Sequence, residues 1–217
     1  KDELINTDPK SAEIIRPILR GRDIKRYGYE FADLWLINTH NGVKDKNIKP
    51  ININDYPAVK AHLDSYWDKI ESRADQGDTP YNLRNCAYME DFSKQKIIYP
   101  NMTKYLPFYL DNRSFYQNDK SFMITGSRLA FLTAFFNSSL FKFCFIDNFP
   151  ELQGGTRELR KLFFDKISVL QINDKIEQEF YKLVTDIQKK YSKKKAIQID
   201  TMIFDLYKLS EEERHII

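Results

Sequence analysis

Apolar residues recur at three-to-four spacing in several stretches, and each stretch predicts a helix. Val59, Leu63, Trp67 and Ile70 line one face of Asn54–Arg73. Tyr56-Pro57 opens that helix, because proline's fixed φ and missing N–H suit a first turn. Leu129, Leu132, Phe136, Leu140 and Phe143 do the same for Leu129–Phe145. Ile176, Phe180, Leu183, Val184 and Ile187 form the stripe of a long amphipathic helix over Asn173–Tyr191, with Asn173 or Asp174 as its cap. A lysine-rich hinge (Lys189–Lys195) precedes a shorter helix from Ile199 to Leu206, and Ser210 with Glu213 makes a capping box for one more turn. At the other end, Lys1–Lys10 reads as an extended lead-in. Asp8-Pro9 then predicts a short helix with Ile14, Ile15, Ile18 and Leu19 on one face, stopped at Gly21.

Short apolar runs bounded by turn residues predict strands: LWLIN within Phe31–Thr39, KIIYP at Lys96–Pro100, Pro107–Leu110, Phe115–Tyr116, Ser121–Thr125 and Ile167–Ile172. Ala74–Asn85, with Gly77, Asp78 and Pro80, has the chemistry of a loop. Asp111-Asn112, Asn118-Asp119 and Gln153-Gly154-Gly155 mark turns. Interspersed strands and helices predict a mixed α/β (α+β) domain with a mixed sheet and packed helices over residues 1–170. A helical tail follows over 171–217. Its stripe has three open partners: the domain itself, a domain outside this chain, or a second copy of the tail.

Composition supports a packed core, with 42% hydrophobic and 14% aromatic residues among 217. The net charge is only +3, but it is segregated. RPILRGRDIKRY carries Arg16, Arg20, Arg22, Lys25 and Arg26 against Asp23, and Lys94–Arg128 carries six cations against Asp111 and Asp119. Such segregation points to a side that faces a polyanion. Cys86 and Cys144 stand far apart in apolar surroundings and read as buried free thiols of a cytosolic protein. Three scattered histidines and no Cys-x-x-Cys pair exclude a zinc pattern. No stretch reaches the ~20 apolar residues of a membrane span. Without a signal peptide or an initiator Met, the chain reads as a piece of a longer protein.

Catalytic patterns are missing. The chain has no phosphate-binding Gly loop, no nucleophile elbow, no Cys/His pair and no spaced acid cluster for Mg²⁺. The expectation is therefore a binding module with no catalytic, metal or cofactor residues of its own. Four stretches have reading chemistry. GDTPYNLRNCAY offers Arg84 and Asn85, since Arg bonds guanine O6/N7 and Asn bonds adenine N6/N7 in pairs. PNMTKYLPFY holds Lys104 and Tyr105 between two prolines. QGGTRELRK offers Gln153 on a tight turn beside Arg157, Arg160 and Lys161. RGRDIKRY offers Arg20, Arg22, Lys25 and Arg26. The base-reading candidates are Arg84, Asn85, Lys104, Tyr105 and Gln153. The phosphate candidates are Arg20, Arg22, Lys25, Arg26, Arg157, Arg160 and Lys161. Against these stand simpler roles: Arg84 tied to Asp78 or Glu90, and Arg22 tied to Asp23 or Glu30. A basic adaptor that meets an acidic protein and dimerises through its tail is the alternative function.

The order of RPILRGRDIKRY, QGDTPYNLRNCAYMEDFSKQKIIYPNM, LTAFFNSSLFKFCF, LQGGTRELRKLFFDKISV and IDTMIFDLYKLSEEERHII resembles the TaqI-like C-terminal specificity domain. This is the target-recognition domain of type IIG (Eco57I-like) restriction–modification enzymes and adenine-specific DNA methyltransferases, related in role to the specificity subunits of type I systems. The resemblance implies double-stranded DNA as partner and an upstream methyltransferase domain that supplies S-adenosylmethionine and an Asn-Pro-Pro-Tyr-type motif. It implies Mg²⁺ only where a nuclease domain exists. Neither the cofactor site nor the motif is in this chain. It further implies a bacterial, cytoplasmic setting, a recognition domain at 1–170, a spacer and packing arm at 171–217 open to self-association, and no membrane.

Overall fold

The computed structural model describes residues 1–217. In chain order the first elements are α1 (Asp2–Thr7), β1 (Ile15–Leu19), β2 (Ile24–Lys25), β3 (Gly28–Tyr29), β4 (Trp35–Ile37), α2 (Pro57–Asp64) and α3 (Trp67–Ile70). The middle holds β5 (Lys96–Pro100), β6 (Met102–Thr103), β7 (Tyr109–Asp111), β8 (Tyr116–Gln117) and β9 (Ser121–Ile124), then α4 (Leu129–Phe136) and α5 (Ser139–Phe145). The rest is β10 (Glu151–Leu152), β11 (Thr156–Glu158), α6 (Lys161–Phe164), α7 (Asp174–Lys189), α8 (Lys193–Leu206) and α9 (Glu211–Ile216). The fold is mixed α/β with several small sheets and C-terminal helices, as the sequence predicts. It divides into two compact units, Lys1–Ile18 with Asp33–Phe92, and Leu19–Ala32 with Ser93–Ile217.

The first unit packs Ile14, Ile53, Tyr56 and Val59, with Leu63 and Tyr81 at the edge. Its N-terminus differs from expectation. The lead-in is helical (α1), and Asp8 caps only a 3-10 turn, Pro9–Glu13, by accepting from Lys10 N. Ile15–Leu19 is then a strand, antiparallel to β4 with Pro17 opposite Trp35. Pro17 explains the change, since a proline there cannot donate in a helix and disfavours helical backbone before it. The Asn54–Arg73 helix is present as α2 and α3, opened by Pro57 and broken after Asp64.

In the second unit β5 is the central strand, buried along its length, between antiparallel β7 and β9. The predicted Leu129–Phe145 helix is two helices bent by 68°. Asn137 ends the first with its amide on Thr133 O and Phe108 O, and Ser138 caps the second by accepting from Phe141 N. These two polar side chains interrupt an otherwise apolar run, and no single helix is long and apolar enough to cross a membrane.

Phe180, Val184 and Ile187 of α7 and Ala196, Ile199 and Ile203 of α8 share one core with Phe131, Phe135 and Phe141. The tail stripe thus buries against its own domain. The compact units divide at residues 18, 32 and 92, whereas the sequence places a boundary at 170. The last turn forms with its Ser210–Glu213 capping box as the sequence predicts, whereas α8 begins at Lys193, capped by Ser192, inside the stretch expected to be a hinge. Two expectations are corrected. Residues 167–172 form no strand; Ile167, Val169 and Ile172 instead pack on the core as irregular chain. The thiols are not both buried: Cys144 is exposed and Cys86 is half-buried. Partial burial still raises both thiol pKa values.

Candidate nucleic-acid interface

In the second unit the cationic stretch is a fixed edge. A 3-10 turn, Gly21–Asp23, places the Asp23 carboxylate where it accepts from Arg20 N at 2.8 Å, Arg20 Nε at 3.0 Å and the Arg20 terminal nitrogen at 2.8 Å. Burial works against the Asp23 charge, but the Arg20 bonds prevail and hold the carboxyl below its usual range. A side chain at Gly21 would meet Lys120 O at 2.3 Å, so the turn tolerates only glycine. Beyond it β2 and β3 pair, with Ile24 opposite Tyr29. Tyr27, at the turn between them, is buried, which anchors the hairpin. Arg22 and Lys25 are left exposed.

A second small sheet comes alongside through sequence-distant pairing. β11 pairs with β6, Arg157 opposite Thr103, and with β10, Leu152 opposite Thr156. Gln153 sits at the β10–β11 tip, where Gly154 and Gly155 have φ of 75° and 76°. After β6 the chain turns at Lys104-Tyr105. Thr103 Oγ1 accepts from Tyr105 N at 3.0 Å, and the loop is pinned by buried Leu106. Tyr105 is 81% exposed.

A cavity of about 500 Å³ lies here, and Arg22, Lys25, Arg26, Lys104, Tyr105 and Thr156 all line it. Residues separated by some 80 positions in sequence therefore converge, five of them named from sequence. The side chains of Arg22 and Lys104 make no hydrogen bond or ion pair within the protein, so their donors face outward. Thr103, Thr156 and Met102 also line this cavity. Sequence reasoning missed them; their signal was adjacency to Lys104 and Arg157 on strands too short to be predicted.

The other candidate cations are engaged within the fold. Arg20 is bound to Asp23. Arg26 donates to Asn137 O at 3.1 and 2.7 Å and lies 3.8 Å from Asp200. Arg157 donates to Ile146 O, Phe149 O and Glu151, with its side chain only 16% exposed. Arg160 pairs with Glu158 and Lys161 with Asp165, both near the surface.

Arg84 and Asn85 belong to the first unit. Their loop is built on two buried asparagines. Asn82 donates to Ile51 O and accepts from Thr79 Oγ1. Asn41 donates to Asp78 at 3.0 Å and to Asn85 Oδ1 at 2.7 Å, and accepts from Asp78 N. Arg73 closes the base of the loop on Asn82 O at 2.7 Å. Arg84 is exposed and lies 3.6 Å from Asp75, whereas Lys46 takes Glu90. Asn41 fixes the Asn85 carbonyl, and the Asn85 amide nitrogen is left outward. No group of three or more His, Cys, Asp or Glu is arranged to hold a metal ion.

No curated protein matches the chain. Among solved structures, the type IIL restriction-modification enzyme MmeI in complex with DNA superposes with a TM-score of 0.63 at 11% identity. The match covers 96% of this chain and 30% of that one, so the chain spans under a third of MmeI. The model of the TaqI-like C-terminal specificity domain matches residues 16–169. On that match the chain belongs to the family of TaqI-like C-terminal specificity domains.

Proposed function

We propose that this chain is the reading module of a restriction–modification enzyme, docking on double-stranded DNA and sensing its sequence without changing a covalent bond. Family membership supports the reading, and one observation carries it: the cavity where Arg22, Lys25, Lys104 and Tyr105 converge, with the heads of Arg22 and Lys104 unpaired and that of Lys25 paired at the surface with Glu30. In this reading Arg22 and Lys25 hold phosphates and set register, while Lys104, Tyr105 and Gln153 approach base edges. On the braced loop of the first unit, Arg84 has the paired donors that a guanine edge requires, and Asn85, its carbonyl held by Asn41, offers its amide donor to a base acceptor.

The parent enzyme we propose is a type IIG, adenine-specific methyltransferase of the bacterial cytoplasm. An upstream domain would bind S-adenosylmethionine and act on an adenine flipped from the duplex, and Mg²⁺ would serve a nuclease domain. Arg20, Arg26 and Arg157 act in this reading mainly by shaping the surface, since their donors are already bonded.

Fluorescence anisotropy with a random-sequence duplex at low salt tests the reading. Binding that weakens linearly with the logarithm of salt concentration supports it. A chain that leaves the duplex free at low salt overturns it in favour of a protein-binding role.

A further inference from the structure

A second and larger cavity, of about 920 Å³, lies in the same unit. Lys25 and Arg26 line it as they line the first, so the β2–β3 hairpin contributes cations to both cavities, with Glu30 beside Lys25 in the larger one. The far wall is the end of α7, with Gln188, Lys189 and Tyr191. That end is firmly held. The Gln188 amide bonds both Leu110 N and Leu110 O at 3.0 Å, extending the strand edge of β7. Ser192 caps α8, and Lys195 binds Asp186 and the carbonyls of Asp186 and Lys190. Asp186 is thereby neutralised. Lys189, Lys190, Lys193 and Lys194 are exposed, have no ion pair, and surround half-exposed Tyr191.

We infer that the α7–α8 turn is a second phosphate-binding element, so that the anionic backbone flanking the read site runs from the first cavity over the β2–β3 hairpin onto Lys189, Lys190, Lys193 and Lys194. A lysine-rich turn alone would be a solvated surface. Here it is braced to a strand, stripped of its acid, and puts Lys189 and Tyr191 into the wall of a cavity whose other wall, with Lys25 and Arg26, already belongs to the candidate interface. The tail then contributes directly to the ligand surface and is more than a spacer. Lysines suit this task because a phosphate backbone needs charge, and no base edge has to be read there.

The inference rests on the DNA reading, and the test separates the two. The variant Lys189→Gln/Lys190→Gln/Lys193→Gln/Lys194→Gln is compared with a control of equal net charge, Lys166→Gln/Lys175→Gln/Lys182→Gln/Lys208→Gln. Duplex affinity is measured across salt, with circular dichroism confirming the fold. The slope of log K against log salt is expected to become shallower by about 2 to 3 in the turn variant, at about 0.9 per lost phosphate contact, and equally for every sequence. The control is expected to keep the wild-type slope. If wild type and control bind duplex and the turn variant keeps the same slope, or if both variants shift alike, the inference falls and the DNA reading stands. If wild type binds no duplex, both fall.

Discussion

Lys96 and Asp111 form an ion pair with Nζ and Oδ2 2.6 Å apart, and neither side chain has any solvent exposure. The pair joins β5 to β7, and the same carboxylate accepts from Arg113 N at 2.8 Å and Phe115 N at 2.9 Å, which shapes the turn after β7. From sequence, Lys96 counted towards a basic surface. In the fold it is an internal strut. Removing one member of a buried pair leaves an uncompensated charge. Lys96→Met is therefore expected to lower unfolding free energy by about 3–5 kcal/mol in urea titration. A loss under about 1 kcal/mol would show that the pair is not holding β5 and β7 together.

A similar division separates the surface arginines. Arg26 bridges the hairpin to Asn137 O, the residue that breaks α4 from α5. Arg26→Gln is expected to cost about 1.5–3 kcal/mol of stability, the range for hydrogen bonds to charged groups. Arg22→Ala and Lys104→Ala are expected to stay within about 0.5 kcal/mol of wild type while weakening DNA binding. Thermal melts beside anisotropy titrations check the split. Equal destabilisation by all three would remove the distinction between braced and presented cations.

His40 gives the first unit a pH dependence. Its Nδ1 accepts from Gly42 N at 3.1 Å, which requires that nitrogen to be unprotonated. Burial, and behind it the Arg16 charge, hold its pKa below the usual 6.5. With the folded value depressed, the stabilisation is full above about pH 6.5 and is lost as pH falls through the folded value. Wild type is expected to have a lower urea midpoint near pH 5 than near pH 7.5. His40→Asn, which keeps an acceptor but does not titrate, is expected to narrow that gap.

Much of the helical fold was legible because long amphipathic stripes and side-chain caps are local signals. Phe180, Val184 and Ile187 are buried as their spacing predicts, and Ser210 with Glu213 forms its capping box. The short strands were less legible. β6, β10 and β11 have two or three residues each; β10 and β11 form a local hairpin, and β6 joins it through pairing between residues some 50 positions apart. That pairing, and not any motif, brings Thr156 to the cavity that Lys104 lines. The sequence also could not show which cations the fold would consume. Arg22 and Arg26 look alike in RGRDIKRY, and the Asn137 carbonyl and the Asp200 carboxylate separate them.

The loop bearing Arg84 and Asn85 depends on a close approach at Gly77. A methyl group there would come 2.5 Å from Asn41 Oδ1 and 2.7 Å from Leu83 O. Gly77→Ala is expected to displace Asn41 and loosen the loop at a cost of about 1–3 kcal/mol. Competition between duplexes differing at single base pairs should then show a flattened preference with non-specific affinity retained. An unchanged preference would remove this loop from the base-reading surface.

The central claim, that the edge carrying Arg22 and Lys25 docks on duplex phosphates, is tested most directly by the salt dependence of binding for Arg22→Ala/Lys25→Ala against wild type on several duplex sequences. The account predicts that affinity falls by the same factor for every sequence and that the slope of log K against log salt becomes shallower by about two. Parallel lines for variant and wild type, with no change in slope, would contradict it.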